Sequence, residues 1–395
     1  MPRDERIRMA RRLLCLLEQQ APADGASSWE TDVARFIDPQ RHETEQQKLF
    51  GERPQLIALS ADLPDPGSYY ATEVAGRPIL LVRGTDGEVR AFFNACRHRG
   101  MPLASGCGRA GRLQCPYHGW TYRLDGALAG LPRRSAFDPS HLRGLIQLPS
   151  IERSGMVLIH LQPGATLDFD AFLGPVAEHL EGFNLENCTL LHAHRGPARI
   201  NWKLAVDAGL EIYHVPVLHK DSLGPNAALR PLSLTLGMHQ VLVAPSPEIL
   251  LLKHLPEAAW PAHCGFASIV ALFPNTVIGG NARLFFFQRS EPGPTPGSCD
   301  YVFRLYGQAD LSPEERAASV QFYLKIALDE EMPALERLQA TMERGVVPTV
   351  VFGEIERNLI GFHQTCDQII GHDADQAVHA VHGRLPAAFP PRADA

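Results

Sequence analysis

Between positions 96 and 118 the chain places Cys96-x-His98 and Cys115-x-x-His118, two thiols and two imidazoles in matched pairs. Two centres suit that donor set. One is a zinc ribbon with Cys2His2 ligation. The other is a [2Fe–2S] cluster in which two histidines replace two cysteines on one iron. Each histidine is followed closely by a glycine (CRHRG and CPYHGW), which suits backbone N–H groups approaching bridging sulfides and favours the cluster. Cys107 is left over and is read as no ligand. The same stretch holds Gly106 to Gly111, which fits the G-x-G-x-x-G of a dinucleotide turn. That fingerprint needs a strand before it and a helix after it. Neither flank supplies one, and Pro116 would break the helix. These glycines are expected to form a flexible loop joining two ligand-bearing turns.

A second constellation lies in NWKLAVDAGLEIYHVPVLH, residues 201–219. Glu211 and His214 are three apart, which puts them on one face of a helix. Pro216 disfavours continued helix, so the chain is expected to bend and return His219 to the same point. Two neutral imidazoles and a carboxylate with open positions form the facial triad of non-haem Fe(II) oxygen activation. His192-x-His194 and His379-x-x-His382 have similar spacing without a third partner nearby, and read as surface histidines.

The elements that must position these groups change character along the chain. Residues 4–20 and 39–50 show helical spacing. Short β runs come next, with Ile79–Arg83 and Val89–Asn94 flanking a Thr-Asp-Gly hairpin signal. Beyond Gln162 the elements mix: a helix at Phe169–Glu181, strands from Ile269 to Arg289 and at Tyr301–Tyr306, and a surface loop at Glu291–Gly297. The longest helical signal runs from Pro313 to Gly345 and is interrupted at Pro333. The polar, Pro-rich tail from about Ala374 is expected to fray. With 395 residues, net charge −7 and 45% hydrophobic residues, the chain can bury a substantial core and is not basic enough for nucleic acid. No stretch reaches the length of a membrane span, no signal peptide is visible, and the cysteines are dilute. A cytoplasmic protein without nucleic-acid or membrane partners is expected.

CRHRG…CPYHGWTY resembles the Rieske motif of the large subunit of Rieske non-haem iron oxygenases, and the likeness extends upstream through Gly76–Arg83 and Asp86-Gly87. It implies that Cys96 and Cys115 hold one iron of the cluster and His98 and His118 the other. The segment 201–219 is similar to the family's NWK…E-x-x-H-x4-H signature, which implies that His214 and His219 bind a mononuclear Fe(II). Glu211 is then not a ligand; it would bridge a Rieske histidine of a neighbouring subunit to an iron-binding histidine. Glu in that place is characteristic of a subset that includes enzymes oxidising quaternary ammonium compounds. Asp207 falls where the family often has another carboxylate near the electron path, and Ala208-Gly209 departs from the usual Asn-Phe. The third ligand belongs to a late helix with an E-D…E-x-x-Q pattern. Aligning Glu336 and Gln339 puts Glu331 in the ligand position, with Asp329 as the next choice.

The fold implied is α+β. An antiparallel Rieske domain at 51–163 joins a helix-covered antiparallel-sheet catalytic domain of helix-grip type at 164–395, with a helical segment at 1–50 packing on the latter. The activity implied is that of a terminal oxygenase using O2, with electrons from a separate reductase or ferredoxin, in a head-to-tail homotrimer. Apolar runs at Ile269–Phe273 and Leu284–Phe287 suggest an aromatic or alicyclic organic substrate. A quaternary ammonium compound is the alternative, and an electron-transfer protein without catalysis stands behind both.

Overall fold

The computed structural model describes residues 3–19, 28–224, 230–261, 263–281 and 283–372. His379, His382 and the expected tail lie outside the described residues. The described strand pairs are antiparallel. Ser68–Val74, Arg77–Arg83 and Val89–Phe93 form the centre of a five-stranded sheet, edged by Gln147–Leu148 and Cys107–Arg109. Gly87 takes φ +85°, the left-handed turn conformation that the Asp-Gly signal anticipates. A three-stranded sheet of Gln55–Leu59, Ser150–Arg153 and Met156–Ile159 backs it, and a small sheet of Leu113–Gln114, Thr121–Tyr122 and Leu128–Gly130 carries the second ligand turn.

The glycine-rich stretch is a loop only at its ends. Cys107–Arg109 is an edge strand paired with Ser68–Tyr70. A Cβ on Gly108 would stand 2.6 Å from the Tyr69 hydroxyl, so glycine there serves close packing against an aromatic ring.

Downstream, seven antiparallel strands run in the order Cys188–Ala198, Cys299–Gln308, Leu284–Pro292, Thr276–Gly280, Phe266–Leu272, His239–Pro245 and Leu232–Leu236. Glu291 and Pro292, expected in a surface loop, are buried at the end of one of these strands. Helices Trp202–Gly209, Met332–Glu343 and Arg357–Ile370 share an apolar core with one face of the sheet through Phe273, Val277 and Phe303. The other face packs with Phe169–Leu180, helix Arg3–Gln19 and the Rieske-side residues Leu56, Leu59 and Leu158. Asp62 ties the two regions further, accepting hydrogen bonds from Arg304 and from the Tyr306 hydroxyl. The N-terminal segment is anchored by Met9, Leu13 and Leu14 in that core, by the pairing of Trp29–Asp32 with Thr349–Phe352, and by Phe50 edge-on to Trp202. Among the described residues no helix is long and apolar enough to cross a membrane.

The long helical signal from Pro313 is three pieces: α-helix Pro313–Leu324, a π-helical turn Lys325–Glu331, and α-helix Met332–Glu343. Pro333 explains the break. It has no N–H for the Asp329 carbonyl and its ring crowds that carbonyl, and a widened turn relieves both.

Candidate metal centres

The two ligand turns of the Rieske motif are built alike. Gly100 N–H donates to Cys96 O and Cys96 N–H to Met101 O; Gly119 N–H donates to Cys115 O and Cys115 N–H to Trp120 O. Gly100 and Gly119 have φ +81° and +70°, so the glycine after each histidine is what lets the turn close. Cys96 and Cys115 are buried together, while His98 and His118 stand at the surface side with their Nδ1 atoms 3.2 Å apart. Trp120 is buried and stacks on His98 with ring centroids 5.0 Å apart. Arg97 and Arg99 are exposed beside the pair. Burial pushes the Cys96 thiol up, and desolvation with His118 and Arg99 nearby holds the His98 imidazole down. Paired thiols on one side and paired imidazoles on the other fit a two-iron cluster whose irons differ in ligation. Cys107 is exposed on its edge strand, on a different element. Sequence reasoning missed Tyr122. Its hydroxyl lies 3.3 Å from Cys96 Sγ and accepts the Arg97 N–H at 2.9 Å, a contact of the kind that tunes a cluster's potential.

The second constellation is assembled by the motif around Asn201. Asn201 caps helix Trp202–Gly209 by accepting the Lys203 N–H at 3.0 Å, and its own N–H donates to Gln339 Oε1 at 2.9 Å. Glu336 accepts the Arg199 N–H at 3.1 Å. The E-x-x-Q pair thus grips the entry to the Trp202 helix and sets the register of the late helix against it. Trp202 and Lys203 are fully buried, both bonded to Glu45, with Lys203 Nζ 2.5 Å from its carboxylate.

With that register, His214, His219 and Glu331 converge: one ligand atom from each lies within 4.8 Å of the others. Glu331 Oε2 is 2.7 Å from His219 Nε2 and 3.4 Å from His214 Nε2. Each outer nitrogen meets a carboxylate, His214 Nδ1 that of Glu211 and His219 Nδ1 that of Glu330 at 2.7 Å. Burial pulls His214 down, but its bonds to Glu211 and Glu331 outweigh that and lift it to about 10. Burial pushes Glu331 up, and the two imidazoles outweigh it and bring it to about 2. Protons are held where a cation would sit. Two Nε2 atoms facing one carboxylate, with both Nδ1 atoms backed by acids, is the donor chemistry of a histidine-carboxylate metal site. Asp329 is exposed and does not belong to the group.

Two local expectations need correction. Glu211 and His214 do not share a helix: the Trp202 helix ends at Gly209, and Glu211–His214 form a bend. Glu211 reaches His214 because it accepts the N–H groups of Tyr213 and His214, which holds the bend leading into the short helix Val215–Leu218. Pro216 does not end a helix but lies in the first turn of that short one, where its missing N–H costs nothing. Asp207 is buried on the Trp202 helix, with Oδ2 3.0 Å from His363 Nε2 and burial raising its carboxyl well above the ordinary range. His192 and His194 are half-buried on strand Cys188–Ala198.

Beside the triad lies a cavity of about 380 Å³. From the two apolar runs only Ile269 and Phe286 line it, and their immediate strand neighbours point to the opposite side. Tyr301, Phe303, Phe322 and Tyr323 complete an aromatic wall that the sequence reading did not single out. Phe286 stacks on Phe303 with centroids 5.9 Å apart. Ala208 and Gly209 also line it, and a Cβ on Gly209 would press to 3.0 Å on Val277.

Comparison with known families places a Rieske [2Fe-2S] domain at residues 53–150 and the catalytic domain of ring-hydroxylating alpha subunits at 185–372. The chain belongs to the Rieske non-haem iron oxygenase alpha subunits, and its domains are of the kinds that carry a [2Fe–2S] cluster and a mononuclear iron. Among curated relatives it is 33% identical over 214 residues to the carnitine monooxygenase oxygenase subunit of Escherichia coli (52% of this chain, 56% of the relative). It is 31% identical over 191 residues to the glycine betaine monooxygenase oxygenase subunit of Pseudomonas aeruginosa (48% and 44%). The matches span about half the length of these relatives. A crystal structure of a quaternary ammonium Rieske monooxygenase superposes with TM-score 0.75 at 21% identity, covering 86% of this chain and 95% of that one. A naphthalene 1,2-dioxygenase superposes with TM-score 0.71 at 18% identity, covering 89% and 95%. Both are likenesses of fold.

Proposed function

We propose that this chain is the terminal oxygenase subunit of a Rieske system, with Cys96, His98, Cys115 and His118 holding the cluster and His214, His219 and Glu331 the mononuclear iron. The observation that carries the reading is the convergence of two carboxylate-backed imidazoles on Glu331 at the wall of a substrate-sized cavity, in a chain that also carries the Rieske pairs. When bound, the cluster supplies single electrons and the Fe(II) activates dioxygen. The protein's own part is to fix both imidazoles by their Nδ1 atoms, to orient the substrate on the aromatic wall, and to exclude water from the cavity.

The substrate we infer is a quaternary ammonium compound, oxidised by demethylation or C–N cleavage, in place of the aromatic or alicyclic molecule that apolar runs alone suggested. An aromatic wall attracts a trimethylammonium group through cation–π contacts, and the matched curated relatives are named for glycine betaine, carnitine and choline. Glu211 in place of Asp points the same way. Phe286, Phe303 and Tyr323 would face the cation, with Gln288 fixing the Tyr301 hydroxyl at 2.9 Å.

We also assign electron delivery between subunits of a head-to-tail trimer, fed by a separate reductase or ferredoxin. Two surfaces support it. Tyr117 and Met101 are exposed beside the cluster histidines, and a groove of about 530 Å³ opens at Glu211, His214 and Asp207, flanked by exposed Tyr213, Val217 and Leu338. Exposed apolar patches of this kind mark interfaces. Asp207 shares that groove with Glu211, which supports a part for it in the electron path. The free thiols suit a reducing cytoplasm.

The test is turnover of cofactor-loaded protein with a reductase, NADH and O2 against carnitine, glycine betaine, choline and naphthalene. Substrate-coupled oxygen uptake with one of the quaternary amines is expected. Coupled uptake with naphthalene alone would overturn the substrate class, and no substrate-dependent uptake with any compound would count against the oxygenase reading.

A further inference from the structure

We propose that Glu330 is a positioning residue for the mononuclear iron, the counterpart on His219 of what Glu211 is on His214. The proposal rests on the reading of His214, His219 and Glu331 as the iron site. His219 is almost fully buried, and its ring lies between two consecutive carboxylates. Glu331 meets Nε2 and Glu330 meets Nδ1, both at 2.7 Å. Neighbouring side chains on a helix diverge by about 100°, and the two acids accordingly meet different edges of the ring. Here both acids sit at the end of the widened turn Lys325–Glu331, just ahead of Pro333.

Glu330 is itself held. The Ser222 hydroxyl donates to Glu330 Oε2 at 2.6 Å, and Lys325 Nζ stands 3.5 Å from Oε1. Ser222 belongs to the turn that leaves His219, closed by Ser222 N–H and Gly224 N–H donating to His219 O. The next residue, Leu223, lines the substrate cavity. One carboxylate therefore fixes the tautomer and rotation of His219 and the first turn of the cavity wall. With Nδ1–H given to Glu330, the Nε2 lone pair is left for the metal.

The experiment uses full-length protein loaded with the cluster and stripped of mononuclear metal, titrated anaerobically with Co(II) and followed by its visible ligand-field spectrum. Glu330 Oε2 takes both His219 Nδ1 and the Ser222 hydroxyl, so Glu330→Gln either turns its NH2 on them or keeps a neutral oxygen there with its NH2 against Lys325 Nζ. It should weaken Co(II) binding roughly 10- to 100-fold and change the ligand-field spectrum, with the Rieske absorption and melting temperature kept. Ser222→Ala removes the donor that orients Glu330 without touching His219, and should weaken binding in the same direction by less. Wild-type affinity and spectrum in Glu330→Gln would overturn the proposal. So would a loss in Glu330→Gln that came only with loss of the Rieske spectrum, together with unaltered binding in Ser222→Ala. If the wild-type protein itself bound no Co(II), the iron-site reading would fall instead.

Discussion

Replacing Glu211 by glutamine should cost the mononuclear site its metal affinity, not merely an electron route. Glu211 has all-acceptor chemistry. Oε1 takes His214 Nδ1, and Oε2 takes the N–H groups of Tyr213 and His214. A glutamine offers one acceptor oxygen and one NH2. If the oxygen stays on the backbone, the NH2 faces Nδ1, forces the imidazole proton onto Nε2 and blocks the atom that should ligate. If the amide flips, two backbone N–H groups lose their acceptor. Loss of a charge-assisted hydrogen bond is worth about 1.5–3 kcal/mol, and each 1.4 kcal/mol is about tenfold in affinity. Binding should therefore weaken roughly 10- to 100-fold, the range seen when partners of metal-bound histidines are removed. The assay is anaerobic Fe(II) titration of cluster-loaded, mononuclear-iron-depleted protein, with the Rieske spectrum reporting an intact fold. Wild-type Fe(II) affinity in Glu211→Gln would refute the tautomer argument.

Other expectations rest on the same geometry. Cys96→Ala or His118→Ala should abolish the visible absorption of the cluster, and Cys107→Ala should leave it; a colourless but folded Cys107→Ala protein would contradict the ligand assignment. Lys203→Met removes one of the two buried cations paired with Glu45 and should lower stability by roughly 1.5–3 kcal/mol, read as a fall in the denaturation midpoint; an unchanged midpoint would mean that Arg41 and the Trp202 indole satisfy Glu45 between them. In protein stripped of mononuclear iron, His214 is lifted from 6.5 to about 10, so its contribution to stability is complete below pH 6.5 and is lost as pH rises towards 10. Melting temperature should decline across that window without iron and decline less with Fe(II) present; identical pH profiles with and without Fe(II) would count against the site.

Legibility in the sequence tracks how local each feature is. The pairing of Cys96 and His98 with Cys115 and His118 was readable because two short turns carry them, each with its own histidine and glycine. Glu331 was readable only through Gln339, and the structure supplies the reason: Gln339 holds the Asn201 backbone and so fixes which part of the late helix faces the histidines. The antiparallel architecture came from the hairpin signals and the resemblance. Glu330 was hidden because neighbouring residues on a helix point apart, and only the placing of the His219 ring between them lets each acid meet one of its nitrogens. Glu211 was misplaced on a helix because its three-residue spacing fits a side-chain-closed bend equally well. The apolar runs say little about the substrate because only Ile269 and Phe286 of them reach the cavity. Asp207 and its partner His363 lie on separate helices far apart in sequence, and no local pattern links them.

Central to the proposed function is that Glu331, with His214 and His219, holds an iron separate from the cluster. The most direct measurement is mononuclear iron content in Glu331→Ala beside Asp329→Ala, each with its Rieske spectrum recorded. Glu331→Ala should keep the cluster spectrum and lose the mononuclear iron and substrate-coupled oxygen uptake, while Asp329→Ala keeps all three. Iron retained in Glu331→Ala, or lost in Asp329→Ala with the cluster intact, would contradict the claim.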